Sequence, residues 1–335
     1  MNKKIKKITV VGDGGWGTTL AIHLAKKNRP VVLWGPFPEY VREIKKTRHN
    51  RKFLPGVKIP SGVRLESSLA RAIHDGDLIV LAVPSQYVSA VLKQIRKTKI
   101  KLSDKIFLSV VKGIEAKTLL RISQMMAQAL GKVSLAVLSG PNISREVARG
   151  VPSTAVIASK DPRVAKELQK IFNSKTFRIY TNTDVAGVEF GGSLKNIIAI
   201  ACGVCDGLGF GSNTKAAIVT RGLAEMARLG QALGARKETF SGLSGLGDLV
   251  TTCFSPQSRN RTVGEQLGKG KSIKHIVSHM EMVAEGVETV KAACELSRKH
   301  KIPMPITHQV YQIIYRRKKP LQAVTDLMAR KTKAE

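Results

Sequence analysis

Residues 8–20, Ile-Thr-Val-Val-Gly-Asp-Gly-Gly-Trp-Gly-Thr-Thr-Leu, carry an apolar strand into a glycine cluster and on into a helical pattern. Gly12, Gly14 and Gly17 hold the G-x-G-x-x-G spacing. Each glycine meets a separate demand: a tight strand-to-helix turn, close backbone approach to a pyrophosphate, and close helix–strand packing, with the helix N-terminus facing the anion. The spacing alone is weak evidence. Here it follows a predicted strand, opens a helix expected from Thr18 to about Lys27, and precedes a second strand, Val31-Val32-Leu33-Trp34, which is the context a dinucleotide-binding βαβ unit requires.

Outward from this unit, short apolar runs alternate with amphipathic stretches to about residue 180. After a polar helix near Glu39 to Thr47 come Asp77–Pro84, Ile106–Val111, Ser134–Leu138 and Ser153–Ile157, near-continuous apolar strands of the kind covered on both faces. Phe177-Arg-Ile-Tyr180 is more polar and reads as the last strand, near an edge. Beyond Asp184 the strand signals stop. Helices are expected over roughly Val188–Cys205, Lys215–Leu229, Ser258–Leu267, Glu288–Lys299, Pro305–Tyr315 and Leu321–Met328. The expected fold is α/β: a doubly wound, mainly parallel Rossmann domain over 1–183, followed by an all-helical domain over 184–335. No Pro/Gly-rich linker marks the boundary, so the domains are expected to pack with a ligand cleft between them.

With 335 residues, 43% hydrophobic and 24% charged, the chain is long enough for two ordinary domains and has globular composition. No stretch reads as a membrane span or signal-peptide core, and four cysteines are too few for a disulfide framework, so a soluble cytoplasmic protein is expected. The charge is unusual: 56 Lys+Arg against 24 Asp+Glu gives +32. Such a field draws in any polyanion without naming one. The cations are scattered over Lys3–Lys7, Arg42–Arg51, Lys93–Lys101, Arg316–Lys319 and Arg330–Lys333, not gathered in one aromatic-interleaved patch, so no specific nucleic-acid partner is expected.

Ligands of open α/β sheets collect at the carboxyl ends of strands. Three ends stand out: Val83-Pro-Ser-Gln-Tyr87, Val110-Val-Lys-Gly113 and Ser139-Gly-Pro-Asn142. Lys112 is placed either to meet an anionic substrate or cofactor phosphate, or as one more surface cation. Gly140 to Ser144 form a strand–turn–helix junction with Asn142 as the expected N-cap. In the apolar helix from Val188, Gly191, Lys195, Ala199 and Cys202 share a face of small residues with one amine. Another body can approach that face closely. A lysine desolvated there exchanges protons near neutral pH; the competing reading is a snorkelling surface lysine.

Residues 241–264 read as a second glycine-rich loop containing Asp248, then a turn with Ser258, Arg259 and Asn260. An arginine fork beside an amide at a helix start suits phosphate oxygens, and Asp248 is placed to orient or balance a lysine. Other patterns fail on their chemistry. Gly268-Lys-Gly-Lys-Ser272 lacks the first P-loop glycine, because Glu265 stands there. Cys202-Gly-Val-Cys205 has no second pair, and the histidines show no ligand spacing, so buried thiols and no metal are expected.

Taken in order, Gly12-Asp-Gly-Gly-Trp-Gly17, Asn50-Arg-Lys-Phe-Leu-Pro55, Val83-Pro-Ser-Gln86, Lys112-Gly113, Ser139-Gly-Pro141, Leu194-Lys-Asn196, Gly245-Leu-Gly-Asp248, Ser258-Arg-Asn260 and Glu285-Gly286 resemble the bacterial-type NAD(P)-dependent glycerol-3-phosphate dehydrogenases over nearly the whole chain. That resemblance implies an oxidoreductase interconverting sn-glycerol 3-phosphate and dihydroxyacetone phosphate with NAD or NADP, supplying glycerol 3-phosphate for phospholipid synthesis, and a homodimer. It implies that Lys195 is the proton donor and acceptor at the substrate C2 oxygen, with Lys112 and Asp248 in the same polar site. Gly140, Asn142, Ser258, Arg259 and Asn260 would hold the substrate, the last two at its phosphate. Gly15, Trp16, Lys112, Ser144, Arg259, Val283 and Glu285 would contact the cofactor beside Gly12, Gly14 and Gly17. Asn142 stands where serine is usual. Two other classes compete: a related lysine-dependent dehydrogenase of 2- or 3-hydroxy acids, and a non-catalytic nucleotide-sensing regulator. The second strand ends Leu33-Trp-Gly-Pro36, without the acid that would select NAD or an immediate arginine that would favour the 2′-phosphate, so the coenzyme choice is open.

Overall fold

A computed structural model describes residues 5–332. The start of the basic N-terminal run and Lys333 lie outside the described residues. The chain forms two compact units: residues up to Lys112 with Arg121–Val185, and Gly113–Leu120 with Ala186 onward. The excursion at 113–120 into the second unit has no counterpart in the expected division near residue 184. Its anchor is Ile114, a short apolar side chain buried in the second unit's core.

The first unit alternates strands and helices: β1 Ile8–Val11, α1 Gly15–Ala25, β2 Val31–Trp34, α2 Pro38–Thr47, β3 Val63–Glu66, α3 Leu69–His74, β4 Leu78–Leu81, α4 Val88–Lys97, β5 Ile106–Ser109, α5 Ile122–Leu130, β6 Ser134–Ser139, α6 Ser144–Arg149, β7 Ser153–Ala158, α7 Pro162–Phe172 and β8 Phe177–Asn182. The eight strands lie in the order β3-β2-β1-β4-β5-β6-β7-β8. All neighbours pair in parallel except β6 and β7, with Leu138 opposite Ile157. β1, β2, β4 and β5 are buried at every residue, as doubly covered strands require, whereas the edge strands β3 and β8 alternate buried and exposed positions. The core joins Leu20 and Leu24 of α1 to Leu33, Phe172 and Phe177. Full burial of such side chains stabilises by about 1.5–3 kcal/mol each.

The second unit contains α8 Val185–Gly207, α9 Ser212–Ala232, α10 Lys237–Ser241, a π turn at Leu243–Gly247, α11 Asp248–Phe254, α12 Arg259–Gly268, α13 Ile273–Ser278, α14 Gly286–Lys299, α15 Pro305–Arg316 and α16 Pro320–Met328. α8 is long and apolar enough, by length and composition, to cross a membrane, and 94% of its apolar window is buried inside the protein. It supplies much of the buried core of this unit, together with Phe240, Leu249, Val263 and Val290. The glycine-rich loop expected ahead of Ser258 is instead largely helical. Gly242, Gly245 and Gly247 lack the side chains that would crowd a tight π turn, and Asp248 starts the next helix rather than sitting in a loop.

Candidate active site

The turn after β1 lies where the strand order reverses between β1–β2 and β1–β4. Gly12 adopts φ +123°, and a Cβ there would stand 2.7 Å from the Ala82 backbone just after β4. Neither the conformation nor the space admits a side chain. A Cβ on Gly17 would meet the Gly12 carbonyl at 1.9 Å, so α1 can approach β1 only through glycine. Gly14 differs: nothing lies within 4 Å of its Cβ position, and as N-cap of α1 it leaves the helix without a side-chain cap. Uncapped N–H groups with clear space before them fit the diphosphate of a dinucleotide.

Of the expected cofactor residues of this unit, Gly15, Trp16 and Ser144 meet at the same helix start. A Cβ on Gly15 would lie 3.8 Å from Ser144 Cβ, and Thr19 Oγ1 donates to the Ser144 carbonyl at 3.0 Å. The Trp16 indole packs edge-on against Phe177, with centroids 6.3 Å apart, so the ring is committed to the core side. A residue without a sequence-assigned role holds the glycine run in place. Buried Asn50 donates to the Asp13 carbonyl and to Thr18 Oγ1, both at 2.7 Å, and accepts from the Tyr40 hydroxyl at 2.7 Å. Its only sequence signal is membership of the Asn50–Pro55 run, which has no spacing from which a role could be read.

At the ends of β5 and β6, Lys112 Nζ donates to the Gly140 carbonyl at 3.0 Å. Gly140 has φ +147°, and a Cβ there would press on Ala155 Cα at 2.9 Å, because antiparallel β7 runs directly alongside. Asn142 does not cap α6 as expected; Ile143 is the N-cap, with no side-chain cap bond. Asn142 Nδ2 is drawn instead to the Thr154 carbonyl at 2.8 Å on the reversed strand, and its buried Oδ1 has no hydrogen-bond partner.

In the second unit, every residue of α8 from Gly187 to Cys205 is buried. The small-residue face is covered by the unit's own chain. A Cβ on Gly191 would come within 2.4 Å of the Ser244 carbonyl in the π turn, which sets Asp248 over the next turn of α8. Lys195 is 5% exposed, which removes the snorkelling alternative. Its Nζ donates to Asp248 Oδ1, and to Thr252 Oγ1 at 2.6 Å; Asp248 is 1% exposed. Thr252 Oγ1 in turn donates to the Asp248 carbonyl at 2.7 Å. An amine held between a carboxylate and a hydroxyl in a desolvated setting can give and take a proton with little reorganisation. Farther along α8, Cys202 and Cys205 are buried thiols, and burial pushes Cys205 up to about 12, so neither is a reactive thiolate.

Farther along α8 from Lys195, at Ile200 and Gly203, α12 packs backbone to backbone on α8. A Cβ on Gly203 would be 2.0 Å from the Arg261 carbonyl, and one on Gly264 2.0 Å from the Ile200 carbonyl. This contact fixes where α12 begins. Ser258 is its N-cap, accepting from Arg261 N, and Arg259 and Asn260 are its first residues, at the start of the helix expected from Ser258. Asn260 is buried and committed to structure: Nδ2 donates to Asn196 Oδ1 at 2.9 Å, and Oδ1 accepts from Gly286 N at 2.9 Å. Asn196, next to Lys195, is therefore a positioning residue that the sequence motif contained without assigning. Arg259 is exposed, and its Nη1 donates to the Val283 carbonyl at 2.7 Å, close to Glu285 at the N-cap of α14. The unit thus gathers Lys195 with Asp248, and Arg259 with Asn260, Val283 and Glu285. Among the described residues no group of three His, Cys, Asp or Glu side chains could hold a metal ion.

The likeness to known proteins extends over both units. Residues 7–165 match the family described as NAD-dependent glycerol-3-phosphate dehydrogenase N-terminus, and 184–325 match its C-terminus. Glycerol-3-phosphate dehydrogenase [NAD(P)+] of Chlorobium phaeobacteroides (strain BS1) is 49% identical over 332 residues, covering 98% of this chain and 99% of the relative. The protein of that name from Geobacter sulfurreducens is 47% identical with the same coverage. The crystal structure of glycerol-3-phosphate dehydrogenase from Coxiella burnetii superposes with a TM-score of 0.94 at 37% identity, covering 98% of this chain and all of that one. A glycine cradle for a diphosphate, a buried lysine–aspartate pair and full-length likeness on both units lead to one assignment: the chain belongs to the NAD-dependent glycerol-3-phosphate dehydrogenase family.

Proposed function

We infer that this protein interconverts sn-glycerol 3-phosphate and dihydroxyacetone phosphate, using NAD or NADP. Beyond family membership, the observation that carries the reading is the Lys195–Asp248–Thr252 arrangement: a buried amine with a buried counter-charge on a helix core. When bound, the nicotinamide supplies or accepts the hydride at substrate C2. Lys195 gives a proton to the C2 oxygen during ketone reduction and takes it back during alcohol oxidation, while Asp248 and Thr252 hold the amine in place.

Arg259, at the uncrowded start of α12, supplies a guanidinium fork for the substrate phosphate, with Ser258 and Asn260 setting its position. Binding energy from that remote phosphate orients the reacting carbon. Lys112, Gly140 and Asn142 complete the substrate residues; the unpartnered Asn142 Oδ1 offers an acceptor to a substrate hydroxyl. Gly12, Gly14, Gly15, Trp16 and Gly17 hold the coenzyme diphosphate through the main chain, with Lys112, Ser144, Arg259, Val283 and Glu285 as its further contacts. The working form in this reading is a cytoplasmic homodimer, checked by light scattering as about twice the chain mass of 36.4 kDa.

The test is the loss of reduced-nicotinamide absorbance on adding dihydroxyacetone phosphate, set against 2- and 3-keto acids. Turnover with the phosphorylated ketone alone is expected. Turnover only with a keto acid overturns the substrate, and none with any of them overturns the enzyme reading. Arg259→Ala is expected to weaken the phosphorylated substrate far more than unphosphorylated dihydroxyacetone; equal losses on both remove Arg259 as the phosphate clamp.

A further inference from the structure

The glycine run contains an acidic residue for which the dinucleotide-binding role of its neighbours gives no reason. Asp13, between Gly12 and Gly14, is 6% exposed, and its Oδ2 is buried without a hydrogen-bond partner. Leaving a carboxylate oxygen desolvated and unpaired is costly. Burial accordingly pushes Asp13 up to about 6. Such a group persists most readily where a ligand brings the missing donor.

The carboxylate has a definite address. A Cβ built on Gly35 would stand 2.1 Å from Asp13 Oδ2 and 2.9 Å from Val41 Cγ2. Asp13 therefore fills the space in which a side chain at position 35, the first residue after β2, would begin. In dinucleotide-binding folds the end of this strand ordinarily carries the acid that hydrogen-bonds the adenosine ribose. Here that position is glycine and the next is Pro36, so the strand end offers neither acid nor cation of its own. Asp13 is also held in direction. Its carbonyl accepts from Asn50 Nδ2 at 2.7 Å and Thr18 Oγ1 at 3.2 Å, while Gly12 N donates to the Trp34 carbonyl at 3.0 Å, tying the glycine run to β2.

The geometry points to Asp13 as the coenzyme-selecting residue: its carboxylate takes the place of the absent acid at the end of β2, accepts from the adenosine ribose hydroxyls, and disfavours a 2′-phosphate, making the protein selective for NAD(H) over NADP(H). A ribose hydroxyl supplies the donor that Oδ2 lacks. A 2′-phosphate presents acceptors and negative charge to the same oxygen, and like charges brought together in a desolvated place repel strongly. Gly35 belongs to the same device, because any larger residue would displace the carboxylate.

This inference rests on the dinucleotide-dependent reading above, and its test is kept apart from turnover. Dissociation constants of NADH and NADPH are measured by titration calorimetry on the full chain without substrate. NADH is expected to bind at least roughly tenfold tighter than NADPH. Asp13→Asn and Asp13→Ser are expected to bring the two constants together, mainly by improving NADPH. Equal affinities in the unaltered protein, or tighter NADPH, overturn the inference whatever the variants do. Parallel changes for both coenzymes in a folded variant also overturn it, since they mark Asp13 as a support of the loop only. If neither coenzyme binds, the dinucleotide reading itself fails.

Discussion

At the scale of single residues, two buried carboxylates stand in opposite situations. Asp248 is matched by Lys195, whereas Asp13 Oδ2 has no hydrogen-bond partner. Removing the lysine alone strands a charge that is 1% exposed, at a cost of about 3–5 kcal/mol. Lys195→Met is therefore expected to lower the melting temperature and to abolish turnover by at least about 100-fold. Adding Asp248→Asn should recover much of the stability and none of the activity. A stable double variant that turns over near the unaltered rate removes Lys195 as the acid–base. For Asp13 the sign is reversed. Its folded value, about 6, lies above the ordinary 3.8, so the folded state holds the proton more tightly than the unfolded chain. That contribution to stability is complete below the unfolded value and is lost as pH rises through about 6. The loss is on the order of 2–3 kcal/mol. Asp13→Asn, which never ionises, should melt a few degrees higher than the unaltered protein at pH 8 and show little gain at pH 4, by calorimetry at both values. A gain of equal size at both ends would show that ionisation is not the cause.

At the scale of elements, the site depends on how closely α8 and α12 approach. Gly203 and Gly264 each face a carbonyl of the other helix at a distance no Cβ can share. Gly264→Val must part the helices, and is expected to cost more than about 3 kcal/mol and to raise KM for the phosphorylated substrate as Arg259 is displaced. Gly62→Ala, where no atom lies within 4 Å of the new Cβ, should change neither. Urea melts and steady-state kinetics of the two variants check this; an unaltered KM in a folded Gly264→Val protein would separate Arg259 from the phosphate. The same elements show what was legible in the sequence. β1, β2, β4 and β5 are continuous apolar runs because both faces are covered, and they read correctly from hydrophobicity alone. β3 did not, because an edge strand of Val-Arg-Leu-Glu buries only alternate residues and resembles a loop. The segment at 241–254 misled for the opposite reason: its glycines signal a loop locally, yet contact with Gly191 and Phe240 folds them into a π turn and a helix. Lys195, Asp248 and Arg259 were nameable from motif spacing. Asn196 and Asn260 as a tether between helices, and Asn50 as the clamp on Asp13, were not, because hydrogen bonds across 26 to 64 residues leave no periodic trace.

At the scale of the whole molecule, the +32 charge is distributed over a chain whose ion pairs are mostly exposed and contribute little to stability. Its consequence is expected in encounter rates. A phosphorylated substrate is expected to be drawn in by the summed field, and the reach of that field depends on salt. Raising ionic strength from about 0.01 M to 0.15 M shortens the screening length from about 30 Å to 8 Å, so distant lysines cease to act while a bound phosphate still feels its own guanidinium. kcat/KM for dihydroxyacetone phosphate is therefore expected to fall several-fold over this range, with kcat nearly constant. Arg259→Ala should lower kcat/KM at every salt concentration yet retain most of the slope, because one cation in 56 carries little of the field. Stopped-flow kinetics with the phosphorylated ketone and with uncharged dihydroxyacetone distinguish the two contributions: the uncharged ketone should show no slope. A slope lost entirely in Arg259→Ala would mean that the field at the site belongs to that one residue, and that the remaining cations act only on partners larger than a metabolite.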